Sequence, residues 1–168
     1  AVIMHVDTGE VVAMGSVPTF DPNDIINGLN NRVWNRLQTA RDDPMTNRAL
    51  RGLYPPGSTF KMVTALAALE SGVIDLKEKV HCEGRHEYAG QIFRCWNRGG
   101  HGNVDMHRAL RESCDVYFYE ISRRTGIGAI ATMARRLGHG QIYDCGMSQQ
   151  KRGVVPDSDW KRSRFNRP

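Results

Sequence analysis

The sequence predicts an α+β fold in which an N-terminal β-hairpin precedes a mostly helical body. Three observations carry that reading. The opening stretch "AVIMHVDTGEVVAMGSVP" alternates apolar and polar residues on both sides of a turn. The stretch "FKMVTALAALESG" is apolar around much of a helical circumference. Two further runs of helical period, "DVYFYEISRRTG" and "GAIATMARRLG", each close on glycine.

Taken in order, Asp7-Thr8-Gly9-Glu10 forms the hairpin turn, with Gly9 supplying the positive φ that a tight turn needs. "TFDPND" then breaks the strand with a proline and turn-forming residues. From Ile25 to Arg51 the chain is rich in Asn, Arg and Asp, and it is expected to hold at most a short helix near "RVWNRLQ". Phe60, Met62, Val63, Leu66, Ala67 and Leu69 mark the next helix as buried, and Gly72 is placed to end it. Lys77 to Gly102 reads as a long polar loop with two of the four cysteines and two glycine clusters. Loops of that length are uncommon in compact domains and are often functional. "DMHRALRES" is a short helix capped by Asp105. The final "KRGVVPDSDWKRSRFNRP" reads as a solvated tail or a junction. No internal repeat or low-complexity tract interrupts this order.

The bulk numbers fit one soluble domain: 168 residues, 40% hydrophobic and 24% charged. No apolar run approaches the roughly 18 residues of a membrane span, and no signal peptide opens the chain. A strand beginning at residue 1 is the expected look of a chain cut from a longer one. The net charge of +5 comes from 23 Lys and Arg against 18 Asp and Glu, with much of the excess in the final segment. A nucleic-acid surface would interleave aromatics with those bases on one face. Trp160 and Phe165 could serve, but a solvated tail or a junction to a further segment is the better reading, so no nucleic-acid partner is expected.

"LYPPGSTFKMVTALAALESG" places Ser58 and Lys61 three residues apart at the mouth of the apolar helix. Residues at that spacing share a helix face, so the two can touch. Ser58 also sits where free backbone N–H groups and the positive dipole end converge. A serine there can simply be an N-cap, but an N-cap leaves Lys61 unexplained. A lysine one turn into a buried helix faces desolvation, which favours its neutral form and lets it serve as a base. An amine in reach of a hydroxyl is the arrangement of an activated nucleophile, worth about 10²–10⁴ in rate. The same helix terminus offers N–H donors to a developing oxyanion.

Ser58-Thr59-Phe60-Lys61 fits the S-x-x-K signature of penicillin-binding proteins and serine β-lactamases. Three longer stretches extend the match. "VDTGEVVAMGSVPTFDPN" resembles the hairpin that opens a penicillin-binding transpeptidase domain, and "TNRALRGLYPPGSTFK" the approach to its nucleophile. "GNVDMHRALRESCDVYFYEISRRTG" resembles the segment with the second motif. Together they cover nearly the whole chain in the right order. The likeness is greatest to the elongation-specific subfamily of rod-shaped Gram-negative bacteria, in which the second motif ends in Asp, as Ser113-Cys114-Asp115 does.

The resemblance implies the penicillin-binding transpeptidase fold, shared with serine β-lactamases: an antiparallel sheet, here reduced to its first hairpin, packed on a helical cluster. It implies a D,D-transpeptidase that cross-links peptidoglycan stem peptides through a serine acyl-enzyme and is acylated by β-lactam antibiotics. Ser58 would be the nucleophile, Lys61 its base, and Ser113 the relay to the leaving D-Ala. Asp115 would orient Ser113, Lys61 and the substrate, and the Ser58 N–H would form half of an oxyanion hole. It also implies a place on the periplasmic face of the inner membrane, held by a single-pass anchor before residue 1. The implied partners are a membrane glycan polymerase and cell-shape proteins of the elongation machinery.

One departure matters. The family's third motif, Lys-Thr-Gly or Lys-Ser-Gly, is not in this sequence. Arg124-Thr125-Gly126 mimics it but reads as a helix C-cap. Residues 1–168 are therefore expected to be the N-terminal part of one transpeptidase domain, inert or nearly so as it stands.

Cys82, Cys95, His101 and Cys114 follow the spacing C-x₁₂-C-x₅-H-x₁₂-C, which is no standard zinc-finger pattern. Three thiolates and an imidazole nonetheless make a closed Cys₃His set typical of structural zinc. Cys114 lies between Ser113 and Asp115, so a metal there would pin the catalytic turn from behind. The resemblance adds a zinc site beside the second motif in relatives, with mixed Asp, Cys and His ligands. A disulfide or unliganded buried thiols remain the competing readings. Cys145 is expected to be a semi-buried thiol, and His5, His81, His86, His107 and His139 to be surface or strand residues. Two other functions stay open on sequence alone: a class D-like β-lactamase or β-lactam sensor domain, and a zinc-stabilised interaction module without catalysis.

Overall fold

Gly9 takes the hairpin turn as its sequence requires, with φ 75° and its N–H donating to His5 O at 2.8 Å. In this computed structural model β1 (Val2–Met4) pairs antiparallel with β2 (Val11–Met14), Val2 facing Met14 and Ile3 facing Ala13. The structure describes residues 1–165 except Asn27 and Leu29. Those two positions of the Asn-rich stretch, and the last three of the basic tail, lie outside the described residues.

The hairpin belongs to a unit made of residues 1–54 and 142–152. The stretch expected to hold at most one short helix carries three: α1 (Asn23–Ile26), α2 (Asn31–Thr39) and α3 (Arg48–Arg51). The reason lies in its asparagines. Asn30 Oδ1 accepts from Val33 N and Asn47 Oδ1 from Ala49 N, so each starts a helix as a cap. Leu37 is the buried anchor of α2. Residues 142–152 join the unit by backbone, Lys151 N donating to Leu50 O at 3.1 Å. Cys145, in this segment, is exposed rather than semi-buried.

The second unit, residues 55–141 and 153–165 among those described, holds the helical body. A 3₁₀ turn over Gly57–Phe60 runs straight into α4 (Lys61–Glu70). α5 (Met106–Arg111), α6 (Asp115–Thr125) and α7 (Ile127–Arg136) follow where their periodicity puts them. Asp105 caps α5 by accepting from Arg108 N at 2.8 Å. Gly126, at φ 80°, closes α6, so Arg124-Thr125-Gly126 is a helix end as expected.

Helix α4 buries Val63 and Ala67 as expected, but adds the small residues Ala65 and Ala68 in place of Met62 and Leu66. Ala65 and Ala68 join a core with Val104, Met106, Tyr117, Phe118 and Ile121. Val63 and Ala67 join a second with Ile130, Met133 and Ala134. Met62 and Leu66 remain exposed. The alanines let two helices approach α4 closely, so the small residues lie at the contacts. The basic segment is also more than a solvated tail. α8 (Ser158–Phe165) starts on Asp157, which accepts from Trp160 N at 2.7 Å and pairs with Arg135.

The expected polar loop from Lys77 to Gly102 folds into strands: β3 (Val80–Cys82), β4 (Arg85–Tyr88) and β5 (Gln91–Arg94), with β6 (Gly102–Val104) just beyond. β3 pairs antiparallel with β6, and β4 with β5. Ala89 and Gly90 turn the second pair, both at positive φ. That is the backbone of a tight hairpin, with alanine where asparagine would have announced it.

Candidate active site and metal centre

Ser58 lies in the 3₁₀ turn, one step before α4, and Lys61 is the first residue of α4 itself. The caps at these starts are Pro56 and Phe60, neither with a side-chain hydrogen bond. Ser58 Oγ instead accepts from Ser113 Oγ at 3.0 Å. The hydroxyl is committed to a neighbouring side chain, not to the helix end.

Lys61 Nζ donates to three acceptors: Asp115 Oδ1 at 2.6 Å, Ser113 O at 2.8 Å and Ser113 Oγ at 2.9 Å. These use all three donors of an ammonium. The Phe118 ring centroid lies 5.6 Å away, within cation–π reach. The lysine side chain is 13% exposed. The expected direct contact of Ser58 with Lys61 is therefore replaced by a link through Ser113, whose hydroxyl touches both.

Ser113 is aimed by its backbone. Its N–H donates to Leu110 O at 3.2 Å and that of Cys114 to Ala109 O at 2.9 Å. This pair is the Schellman ending of α5, with Ser113 at the position that glycine usually takes. Ser113 has φ 51°, in the left-handed region. Asp115 then opens α6, where a carboxylate favours the positive helix end. Its second oxygen, Oδ2, accepts from Trp96 N at 3.0 Å. Trp96 escaped the sequence reading; its one signal there was an aromatic residue directly after Cys95 in a polar stretch.

Behind this turn the four expected metal ligands converge. Cys82, Cys95, His101 and Cys114 are all buried, and their ligand atoms lie within 4.8 Å of one another. His101 Nδ1 is 3.6 Å from both Cys82 Sγ and Cys95 Sγ. A tetrahedral zinc with ordinary Zn–S and Zn–N bonds has sulfur–nitrogen edges of about 3.6 Å. The donor set, its burial and these separations all fit a zinc ion. The cysteines are free thiols here, and burial pushes the Cys114 thiol up to about 12. A bound cation would offset that cost by favouring the thiolate. His5, His81, His86, His107 and His139 stand outside this cluster among the described residues.

Two glycines let the backbone cross here. A Cβ on Gly84 would lie 2.2 Å from Arg98 O, and one on Gly100 2.2 Å from Cys82 O. Both have positive φ, so no other residue fits easily. The glycine clusters of the polar stretch thus bring Cys82 and Cys95 to the same place.

Comparison with known proteins gives one consistent answer. Residues 1–166 match the family model described as the penicillin binding protein transpeptidase domain. The peptidoglycan D,D-transpeptidase MrdA of Acinetobacter baumannii is 36% identical over 156 residues, 92% of this chain and 23% of that protein. Penicillin-binding protein 2 from Helicobacter pylori superposes with a TM-score of 0.93 at 34% identity, covering 99% of this chain and 32% of that one. The Pseudomonas aeruginosa penicillin-binding protein 2, solved with WCK 5153, gives 0.92 at 36%, covering 99% and 37%. The H. pylori protein has also been solved with MreC, and penicillin-binding protein A of Mycobacterium tuberculosis as a penicillin G acyl-enzyme. The chain spans about a quarter of the length of the curated relatives it matches.

Proposed function

The chain belongs to the penicillin-binding protein transpeptidase domain family, and from that premise we propose that it supplies the acylation centre of an elongation-specific peptidoglycan D,D-transpeptidase. The observation that carries this reading is the hydrogen-bonded line from Ser58 through Ser113 to Lys61 and Asp115. The relatives support it over the β-lactamase, sensor-domain and interaction-module alternatives.

In the proposed reaction Ser58 Oγ attacks the carbonyl carbon between the two terminal D-Ala residues of a stem peptide. Lys61 takes part as the neutral amine, having released one proton beforehand, and the Ser58 proton passes through the Ser113 hydroxyl to Lys61 Nζ along contacts of 3.0 and 2.9 Å. The Ser58 N–H, at the start of the 3₁₀ turn, is one donor to the oxyanion. As the C–N bond breaks, Ser113 returns a proton to the departing D-Ala amine. An amine of a neighbouring stem then attacks the ester, forming the cross-link and restoring the Ser58 hydroxyl. Asp115 keeps Lys61 and Ser113 in register throughout. A β-lactam would acylate Ser58 by the same first step.

Cys82, Cys95, His101 and Cys114 would hold a structural zinc. It supplies a fixed cross-link behind the catalytic turn and no reacting group. Through Cys114 it would hold Ser113 and Asp115 from the rear, and through Cys95 the Trp96 N–H that donates to Asp115. The residues 1–168 would form part of a single transpeptidase domain, the third motif coming from outside this span. The work would take place on the periplasmic face of the inner membrane, with stem peptides as substrate. A glycan polymerase and cell-shape proteins would be its partners, as MreC is for the H. pylori relative. Among the described residues no helix is long and apolar enough to cross a membrane.

Fluorescent penicillin applied to the gene product carrying this span tests the proposal. Labelling is expected on the tryptic peptide 52–61 and is expected to vanish in Ser58→Ala. A label that persists in that variant would end the reading.

A further inference from the structure

Trp96 is 63% exposed, yet both of its N–H groups are engaged. The backbone N–H donates to Asp115 Oδ2, and indole Nε1 donates to Glu112 O at 3.0 Å. Its ring also meets His101 edge-on, with centroids 5.3 Å apart. An exposed indole anchored at the carbonyl just before the relay serine is doing more than filling space.

The anchor acts on the one strained residue of the site. Ser113 sits at φ 51° without being glycine, a conformation disfavoured for any L side chain. Two peptide planes flank it and both must be fixed for its hydroxyl to keep its aim. The following plane is held by Lys61 Nζ on Ser113 O and by Cys114 N on Ala109 O. The preceding plane is held by Ser113 N on Leu110 O and, at its carbonyl end, by the Trp96 indole on Glu112 O.

We propose that Trp96 is a positioning residue for acylation: its indole N–H clamps the 112–113 peptide and so keeps the Ser113 hydroxyl between Ser58 and Lys61. The inference rests on the acylation reading above. It assigns the clamp to the side chain, separately from the backbone N–H that serves Asp115, which every residue but proline would retain.

The test replaces Trp96 with β-(3-benzothienyl)alanine, which keeps the ring shape but has sulfur in place of N–H, in the gene product carrying this span. Trp96→Phe is a second variant. Penicillin acylation is followed over a concentration series, separating the first-order acylation constant from the affinity for the intact drug. The acylation constant is expected to fall about fivefold to tenfold, the loss of one hydrogen bond. Drug affinity and zinc content are expected to stay the same, and the melting temperature to fall by no more than about 2–4 °C. An unchanged acylation constant overturns the inference, and so does a loss confined to affinity, which would make the ring a ligand contact. Labelling that survives Ser58→Ala overturns the acylation reading and this inference with it. Labelling that needs Ser58 yet ignores the isostere overturns this inference alone.

Discussion

In the proposed mechanism Ser113 serves the reaction at the expense of the fold. The end of α5 asks for glycine there, since the left-handed conformation costs an L residue about 1–2 kcal/mol. Serine at this position places one hydroxyl against both Ser58 and Lys61. The two demands are separable by experiment. Ser113→Gly is expected to raise stability by up to about 1 kcal/mol in urea unfolding, the relief of strain being partly offset by a lost acceptor for Lys61. The same change is expected to slow penicillin acylation by about 10² or more, because the relay between nucleophile and amine is gone. A Ser113→Gly protein no more stable than Ser113→Ala, which loses the same hydroxyl, would show that the backbone conformation is not strained. Ser58, Lys61, Ser113 and Asp115 were legible in the sequence because two short motifs fixed both spacing and residue type. Trp96 was not, because a clamp that works through a backbone carbonyl leaves no spacing rule to read.

Helix α6 is the element on which the second unit turns, giving Asp115 to the site and Tyr117, Phe118 and Ile121 to the core. Tyr117 is fully buried, and its hydroxyl has no hydrogen-bond partner among the described residues. Desolvation pushes that phenol up to about 12. An unsatisfied buried hydroxyl costs about 1–3 kcal/mol, so Tyr117→Phe is expected to be neutral or to stabilise by about 1 kcal/mol. Chemical denaturation measures this directly; a loss of more than 1 kcal/mol would mean that the hydroxyl has a partner. Helices of this kind were readable from their period and their glycine ends. The four strands between Lys77 and Val104 were not, and the reason is physical. Each has three or four residues, too few for alternation to register. β4 and β5 are mostly exposed, so no apolar face marks them. What organises the region is the crossing at Gly84 and Gly100 and the convergence of Cys82, Cys95 and His101.

At the scale of the whole molecule the four cysteines divide into three that are buried together and one that is exposed. If the three buried thiols hold zinc with His101, part of the folding free energy is metal-binding energy, because the unfolded chain has no such site. The purified protein is then expected to contain about one zinc per chain and to expose one thiol, Cys145, to a thiol reagent under native conditions. Chelation is expected to lower the melting temperature by about 10 °C, the loss of roughly 4 kcal/mol from a ligand present at a thousand times its Kd. Cys95→Ser is expected to reproduce that fall and to release the metal, whereas Cys145→Ser is expected to change neither zinc content nor melting temperature. The contrast between these two serines is the decisive measurement, since both remove a thiol and only one removes a ligand. Zinc below a tenth of an equivalent in the native protein would remove the metal centre from the account. The turn would then be held by its hydrogen bonds alone, from Lys61, Trp96 and the end of α5.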